Sequence, residues 1–327
     1  MGKDNKMRRK KSKKKQIIVL TLSAILFLSV AYASFNTNIN LKVKGNIKET
    51  DGNCFTITDN GDGTGTITDY DKSCGSVVKL PNYINNLKIT KIADGDGANG
   101  VHGPFVNKGI KKLIISDVLT LIGAYSFCNN TINFLNIPSN VKEIGGHAFA
   151  WCGSFSEGLI LNEGLETIGG GAFESNNLTS LKIPSTVKNM YNTIASDNLI
   201  EGDEAFIYAK DENGNTDYTY LVSYGNRNTE EVTIPSNIKT IGIASFVSDI
   251  GIKTVNIKDN VTTIKAQAFW NMHSLTTVNI GSGVTSIDSA AFYQNTNLTT
   301  ININKKEGEL PYAPWGASAT VNYLKQK

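Results

Sequence analysis

The stretch IPSNVKEIGGHAF, from Ile137 to Phe149, returns nearly a hundred residues later as IPSNIKTIGIASF, from Ile234 to Phe246, with the same Pro, the same Gly and the same apolar spacing. With Leu135 as position zero, apolar residues fall at plus 2 (Ile137), plus 6 (Val141), plus 9 (Ile144) and plus 14 (Phe149). The template starts again at Leu113, Leu159, Leu181, Val232, Val255 and Val278, and an eighth start at Ile301 runs into the C-terminus. These starts are 22, 24, 22, 51, 23, 23 and 23 residues apart. A fixed period of that length is the signature of stacked coils, because one unit is too small to bury its own apolar face.

Within a copy, the alternation at zero and plus 2 predicts a short strand with two inward side chains. Pro at plus 3 (Pro138, Pro184, Pro235) ends that strand because it cannot donate to a ladder. The chain then turns back through plus 6 and plus 9. Gly at plus 10 (Gly123, Gly145, Gly169, Gly242) is expected to permit a tight bend. The Phe at plus 14 is expected to enter the core between coils. Plus 17 is occupied by Asn130, Cys152, Asn176, Asp249, Met272 and Asn295, which predicts an internal ladder of side-chain amides satisfying turn backbone.

Two segments break the period. Residues 191–231 interrupt the array, and AFIYAKDENGNTDYTYLVSYGN within them predicts two strands joined by an Asn/Gly loop. Residues 35–76 contain CFTITDNGDGTGTITDYDKSC, a hairpin signal set by Asn-Gly and Asp-Gly, expected to cap the N-terminal end. Cys54 and Cys74 flank that hairpin and are favoured as a disulfide pair. Cys128 and Cys152 are either two free thiols or a second bridge.

Of the first 15 residues nine are Lys or Arg and one is acidic; without them 23 basic residues stand against 28 acidic ones, a net charge of about −5. The basic run precedes an uncharged stretch from Ile17 to Ala33. This fits a secretory signal cleaved after Ala33, or a retained membrane anchor with the positive cluster inside. Either places the remainder outside the cytoplasm, and the mildly acidic body gives no reason to expect nucleic-acid binding.

The unit LNIPSNVKEIGGHAFAWC, residues 135–152, resembles the repeat of BspA-like leucine-rich repeat proteins, and the resemblance runs from about Val77 to Tyr323. VVKLPNYINNLKITKIADG looks like the family's opening half-repeat and LPYAPWGASATVNY like its closing segment, with Trp315 covering the open core. The expected fold is a mainly β solenoid of leucine-rich repeats of about 23 residues, short strands and turns, with an inserted β-hairpin and a small N-terminal β cap. The expected organisation is a signal peptide or anchor (1–34), the cap (35–76), a first repeat block (77–190), the inserted hairpin region (191–231) and a second block with its C-terminal cap (232–327).

No convergent set of acids, bases and nucleophiles points to an enzyme or to a cofactor. His102, His147 and His273 read as turn or surface residues. DGDGANG (Asp94 to Gly100), DNGDG (Asp59 to Gly63) and KDENGNTD (Lys210 to Asp217) are rich in oxygen ligands but miss the EF-hand pattern, so no metal is expected. The outward strand positions say more. In the second block they are Thr254, Asn256, Thr277, Asn279, Thr300 and Asn302; in the first they are Lys112, Ile114, Phe134, Asn136, Gly158 and Ile160. Lys112, Ile114, Phe134, Asn136 and Ile160 are the candidate binding face, since exposed apolar patches mark contact sites; flanking segments folded over them are the alternative. The resemblance implies an exported bacterial protein that binds macromolecules or adheres at the cell surface, to host extracellular proteins such as fibronectin or fibrinogen or to bacterial surface proteins. The alternative is a self-assembling envelope or matrix protein.

Overall fold

The computed structural model describes residues 49–97, 102–211, 213–247 and 251–323. The stretch from Ile17 to Ala33, Asp249 and part of the Asp94 to Gly100 loop lie outside the described residues. Among the described residues no helix is long and apolar enough to cross a membrane.

Positions zero and plus 2 build a front ladder of parallel strands. In the second block it runs through Glu231–Thr233, Thr254–Ile257, Thr277–Ile280, Thr300–Ile303 and Thr320–Tyr323, with Val232, Val255, Val278, Ile301 and Val321 side by side. In the first block Val77–Lys79 pairs with Lys112–Ile114, and Ile132–Ile137 with Gly153–Leu161. Where the repeat carries Pro at plus 3, its carbonyl accepts from the plus 6 amide, as Pro138 does from Val141 at 3.1 Å. That turn aims the chain back across the core.

Plus 8 and plus 9 then form two-residue strands in a back ladder, with Ile122, Ile144, Ile168 and Met190 in one register row and Ile241, Ile264 and Ile287 in another. A third run of coil-to-coil bonds follows: the amides at plus 12, 14 and 16 of one coil donate to carbonyls of the next, as Tyr125, Phe127 and Asn129 do to Gly146, Ala148 and Ala150. The sharp bends fall at plus 12 (Tyr125, His147, Thr193, Gln267) and plus 16 (Asn129, Trp151, Ser175, Asn271), all with positive φ near 50° to 65°. The plus 10 glycines have a different reason. They do not lie in the left-handed region. Instead, a Cβ on Gly145 or Gly169 would overlap the backbone of the preceding coil, so close approach of coils requires them. Tyr191, Lys265 and Asp288 hold the place in other coils, which confines the requirement to the coils that carry Gly123, Gly145, Gly169 and Gly242.

Down the middle runs a column of rings. Phe105, Phe127, Phe149 and Phe173 follow one another at centroid spacings of 4.5, 5.1 and 6.0 Å, and Tyr224, Phe246, Phe269 and Phe292 at 4.9, 5.0 and 5.2 Å. Beside them the plus 17 amides form the expected internal ladder. Asn176 Oδ1 accepts from the Cys152 amide (2.7 Å) while its Nδ2 donates to the Phe149 carbonyl (2.8 Å). Asn295 bonds Met272 and Phe269 in the same way. Asn198, plus 17 of the copy that starts at Leu181, belongs to the ladder too, accepting from the amides of Asn176 and Leu178. Cys152 supplies only a donor, its thiol bonding the Phe127 carbonyl at 3.1 Å.

At the N-terminal end Phe55–Asp59 and Thr64–Tyr70 form an antiparallel hairpin, and the second strand joins Leu87–Ile92 to extend the back ladder. Cys54 and Cys74 are disulfide-bonded across its base. At the other end Trp315 is fully buried against Phe292, its indole N–H donating to the Pro311 carbonyl at 2.8 Å. In the insertion Phe206–Lys210 and Thr216–Tyr224 pair antiparallel; the returning strand enters the back ladder beside Thr240 and Ile241.

Two stability outcomes follow. Phe149→Ala removes a ring stacked on both sides and is expected to cost about 3–5 kcal/mol, read by urea unfolding; an unchanged midpoint would refute the column's role. Cys54→Ser/Cys74→Ser opens a 20-residue separation and is expected to cost about 3 kcal/mol, with exchange of the Phe55–Tyr70 amides rising before that of the repeats.

Candidate binding face and relationship to known proteins

The two outward rows of the front ladder have different chemistry in the two blocks. In the second block the Asn row bonds to itself: Asn279 donates to Asn256 (2.7 Å), Asn302 to Asn279 (2.8 Å) and Asn322 to Asn302 (2.8 Å). Asn256 in turn donates to the Glu231 carboxylate at 2.6 Å. The adjoining row is Thr254, Thr277, Thr300 and Thr320. The amides are thus spent on one another and the surface is evenly polar.

In the first block no such row forms. Val77 stands beside Lys112, Lys79 beside Ile114, Phe134 beside Gly158 and Asn136 beside Ile160. The five predicted residues all lie on the outer side of the ladder and are half-buried. They divide between two strand pairs, Lys112 and Ile114 on one, Phe134, Asn136 and Ile160 on the other. The pairs meet where Thr131 and Asn133 donate to the carbonyls of Ile110 and Lys111. Gly158 has a φ of 125°, a conformation that favours glycine, and a Cβ there would make only an ordinary contact with Phe134 at 3.7 Å. Asn136 accepts from Asn162 Nδ2 at 2.8 Å. Val77, 46% exposed, and Lys79 belong to the same surface. Sequence reading missed them because the first half-repeat was not aligned to position zero; Val78, opposite Leu113, gives the alignment.

Two of the three acidic loops bond their own turns, while Asp94 accepts from the Ala124 amide of another coil at 2.7 Å. Asp62 accepts from the amide and hydroxyl of Thr64, and Asp211 from Asn213 and Asn215; those bonds hold both carboxyls below the usual range. Among the described residues no three His, Cys, Asp or Glu side chains gather as metal ligands. His147 lies between the rings of Tyr125 (4.8 Å) and Trp151 (5.9 Å), with the Glu174 carboxylate 3.1 Å from Nδ1.

Cys128 and Cys152 are free and buried. Burial pushes the Cys128 thiol from its ordinary 9.0 up to about 12 and raises Cys152 further. The folded state therefore holds these protons more tightly than the unfolded chain, so their contribution to stability is full below about 9 and is lost as pH rises toward 12. Buried tyrosines such as Tyr70 shift in the same direction, so the expected result is comparative: Cys128→Ala loses less stability than wild type between pH 9 and pH 12 in urea unfolding. Equal losses would show that the thiol does not contribute.

The family description "BspA type Leucine rich repeat region" matches six copies, over residues 102–200 and 221–312. The chain belongs to the BspA-type leucine-rich repeat family. It is similar to a leucine-rich repeat protein from Eubacterium ventriosum, at 23% identity over 77% of this chain and 71% of that one, with a TM-score of 0.53, a likeness of fold. A leucine rich cell surface protein from Faecalibacterium prausnitzii is 18% identical over 87% of this chain and 97% of its own, TM-score 0.43. A leucine-rich repeat protein from Bacteroides ovatus is 17% identical over 86% and 76%, TM-score 0.45. No curated protein matches the chain.

Proposed function

We propose that the protein binds other proteins at the bacterial cell surface, or after release from it, through the first-block front face, with Lys112, Ile114, Phe134, Asn136 and Ile160 in the contact. The observation that supports this is the contrast between the two halves of one ladder. In the first block the two outward rows, which in the second are a Thr row and a self-bonded Asn row, hold Val77, Lys112 and Phe134 in the one and Lys79, Ile114, Asn136 and Ile160 in the other. Such a surface gains from desolvation by a partner, while the Asn row has already met its bonding needs. The two lysines favour a partner with acidic groups at the rim of the contact. Export through the stretch from Ile17 to Ala33 is part of this reading, as is the choice of extracellular host or bacterial surface proteins. We assign no catalysis.

Biolayer interferometry against immobilised extracellular matrix proteins and bacterial surface extracts tests it. Phe134→Ser/Ile160→Ser is expected to weaken saturable binding at least about tenfold while circular dichroism stays unchanged. Binding equal to wild type would remove the face from the contact. Concentration-dependent oligomers without any bound partner would favour the self-assembling reading, for which the outer edge of Thr320–Tyr323, paired on one side only among the described residues, is the physical opening.

A further inference from the structure

The front ladder has a gap. Gly153–Leu161 pairs with Ile132–Ile137 on one side and, among the described residues, with no strand on the other, where only the Gly153 carbonyl is met, by Asn177 Nδ2 at 2.7 Å. The next segment, residues 181–183, carries the repeat's Leu181 and Ile183 but forms no strand, and its backbone makes no hydrogen bond among the described residues. The ladder resumes only at Glu231–Thr233. The side chains beneath record the same break. Positions zero and plus 2 are buried in the other coils, apart from the terminal strand, yet Leu159, Leu161, Leu181 and Ile183 are all half-buried. A cleft of about 360 Å³ lies between Phe155 to Leu159 of the long strand and Asn177 to Ser180 of the following coil. The turn after Ile183 is held in place by Glu163, whose carboxylate accepts from the amides of Ser185 and Thr186 at 3.1 Å each.

A free strand edge presents alternating N–H and C=O groups, a pattern that an extended backbone complements. The floor adds apolar side chains at the inward positions of a ladder. Of the charges nearby, Glu166 is paired with Lys142 at 3.3 Å, which leaves Glu157 and Glu163 against Lys182.

We propose that the outer edge of Gly153–Leu161 is a strand-acceptor site: an extended segment of a partner polypeptide, alternating apolar and polar and neutral to basic, adds as the next strand over Leu159, Leu161, Leu181 and Ile183. The proposal rests on the protein-binding reading above but uses the backbone edge of the ladder rather than its outer face. The two contacts can therefore be tested apart.

The probe is a synthetic peptide of the protein's own residues 252–258, IKTVNIK, whose parent segment occupies this ladder in the second block and carries two lysines. Added to the full chain, it is expected to bind saturably and slow amide exchange within residues 156–161 by about tenfold or more. The same peptide N-methylated at alternate backbone nitrogens is expected to do neither. Ile114→Ser/Phe134→Ser, which alters the face on strands other than the acceptor strand, is expected to keep the protection. No slowing at residues 156–161, equal slowing by the N-methylated peptide, or slowing confined to the Thr320–Tyr323 edge would overturn the proposal. Concentration-dependent protection of the same amides without peptide would also overturn it, by making a second copy the occupant.

Discussion

Backbone pairing between successive coils is the interaction on which the rest of this molecule depends. The front ladder, the back ladder and the run from plus 12 to plus 16 all pass their bonds to a neighbouring coil. A coil taken alone would keep only its tight turns, such as those closed by the carbonyls of Pro138, Gly145 and His147. Because the bonds are parallel and in step, equivalent side chains are brought to equivalent depths, so the Phe column and the Asn ladder result from the period itself. Asn130, Asn198 and Asn295 each bond groups in the preceding coil and in their own, which ties the turns to the register set by the strands. Their amides are worth more there than at the surface, since the alternative is an unpaired buried backbone group.

The outward positions are free of that constraint. Nothing in the core dictates what stands at minus 1 and plus 1, so the two blocks carry different surfaces on one scaffold. The Asn row of the second block closes on itself, while the first block presents Val77, Phe134 and Ile160 to whatever approaches. Functional variation in such an array belongs to these rows and to the places where the repeat is interrupted.

Much of this was legible in the sequence, and the reason is the strictness of the spacing. Leu135, Ile137, Val141, Ile144 and Phe149 are all fully buried, as their positions required. The reason given for the glycines was wrong: crowding between coils demands Gly145 and Gly169, whereas the left-handed bends are held by Tyr125, His147, Thr193 and Gln267, residues that carry no recognisable bend signal. Asn198 was overlooked because its copy seemed to end at Met190, although its spacing from Leu181 is regular. The front-ladder gap could not be read at all. Leu181 and Ile183 have the pattern of a strand, and only the three-dimensional course of the inserted hairpin shows that the ladder does not continue there.

The insertion also touches the ring column. Where a Phe should follow Phe173, the chain places Ala195, and the next ring in line, Tyr224, comes from the far side of the hairpin. In a linear array, stability is approximately the sum of each unit's own term and its coupling to the next. A small residue at the junction, together with interrupted strands on both ladders, makes that one coupling the weakest link. Mechanical load carried along the array would meet its least ring-packed junction at residues 191–231, where bonds such as Ile200 to the Gly225 carbonyl and Arg227 to the Asn198 carbonyl stand in for the missing ring.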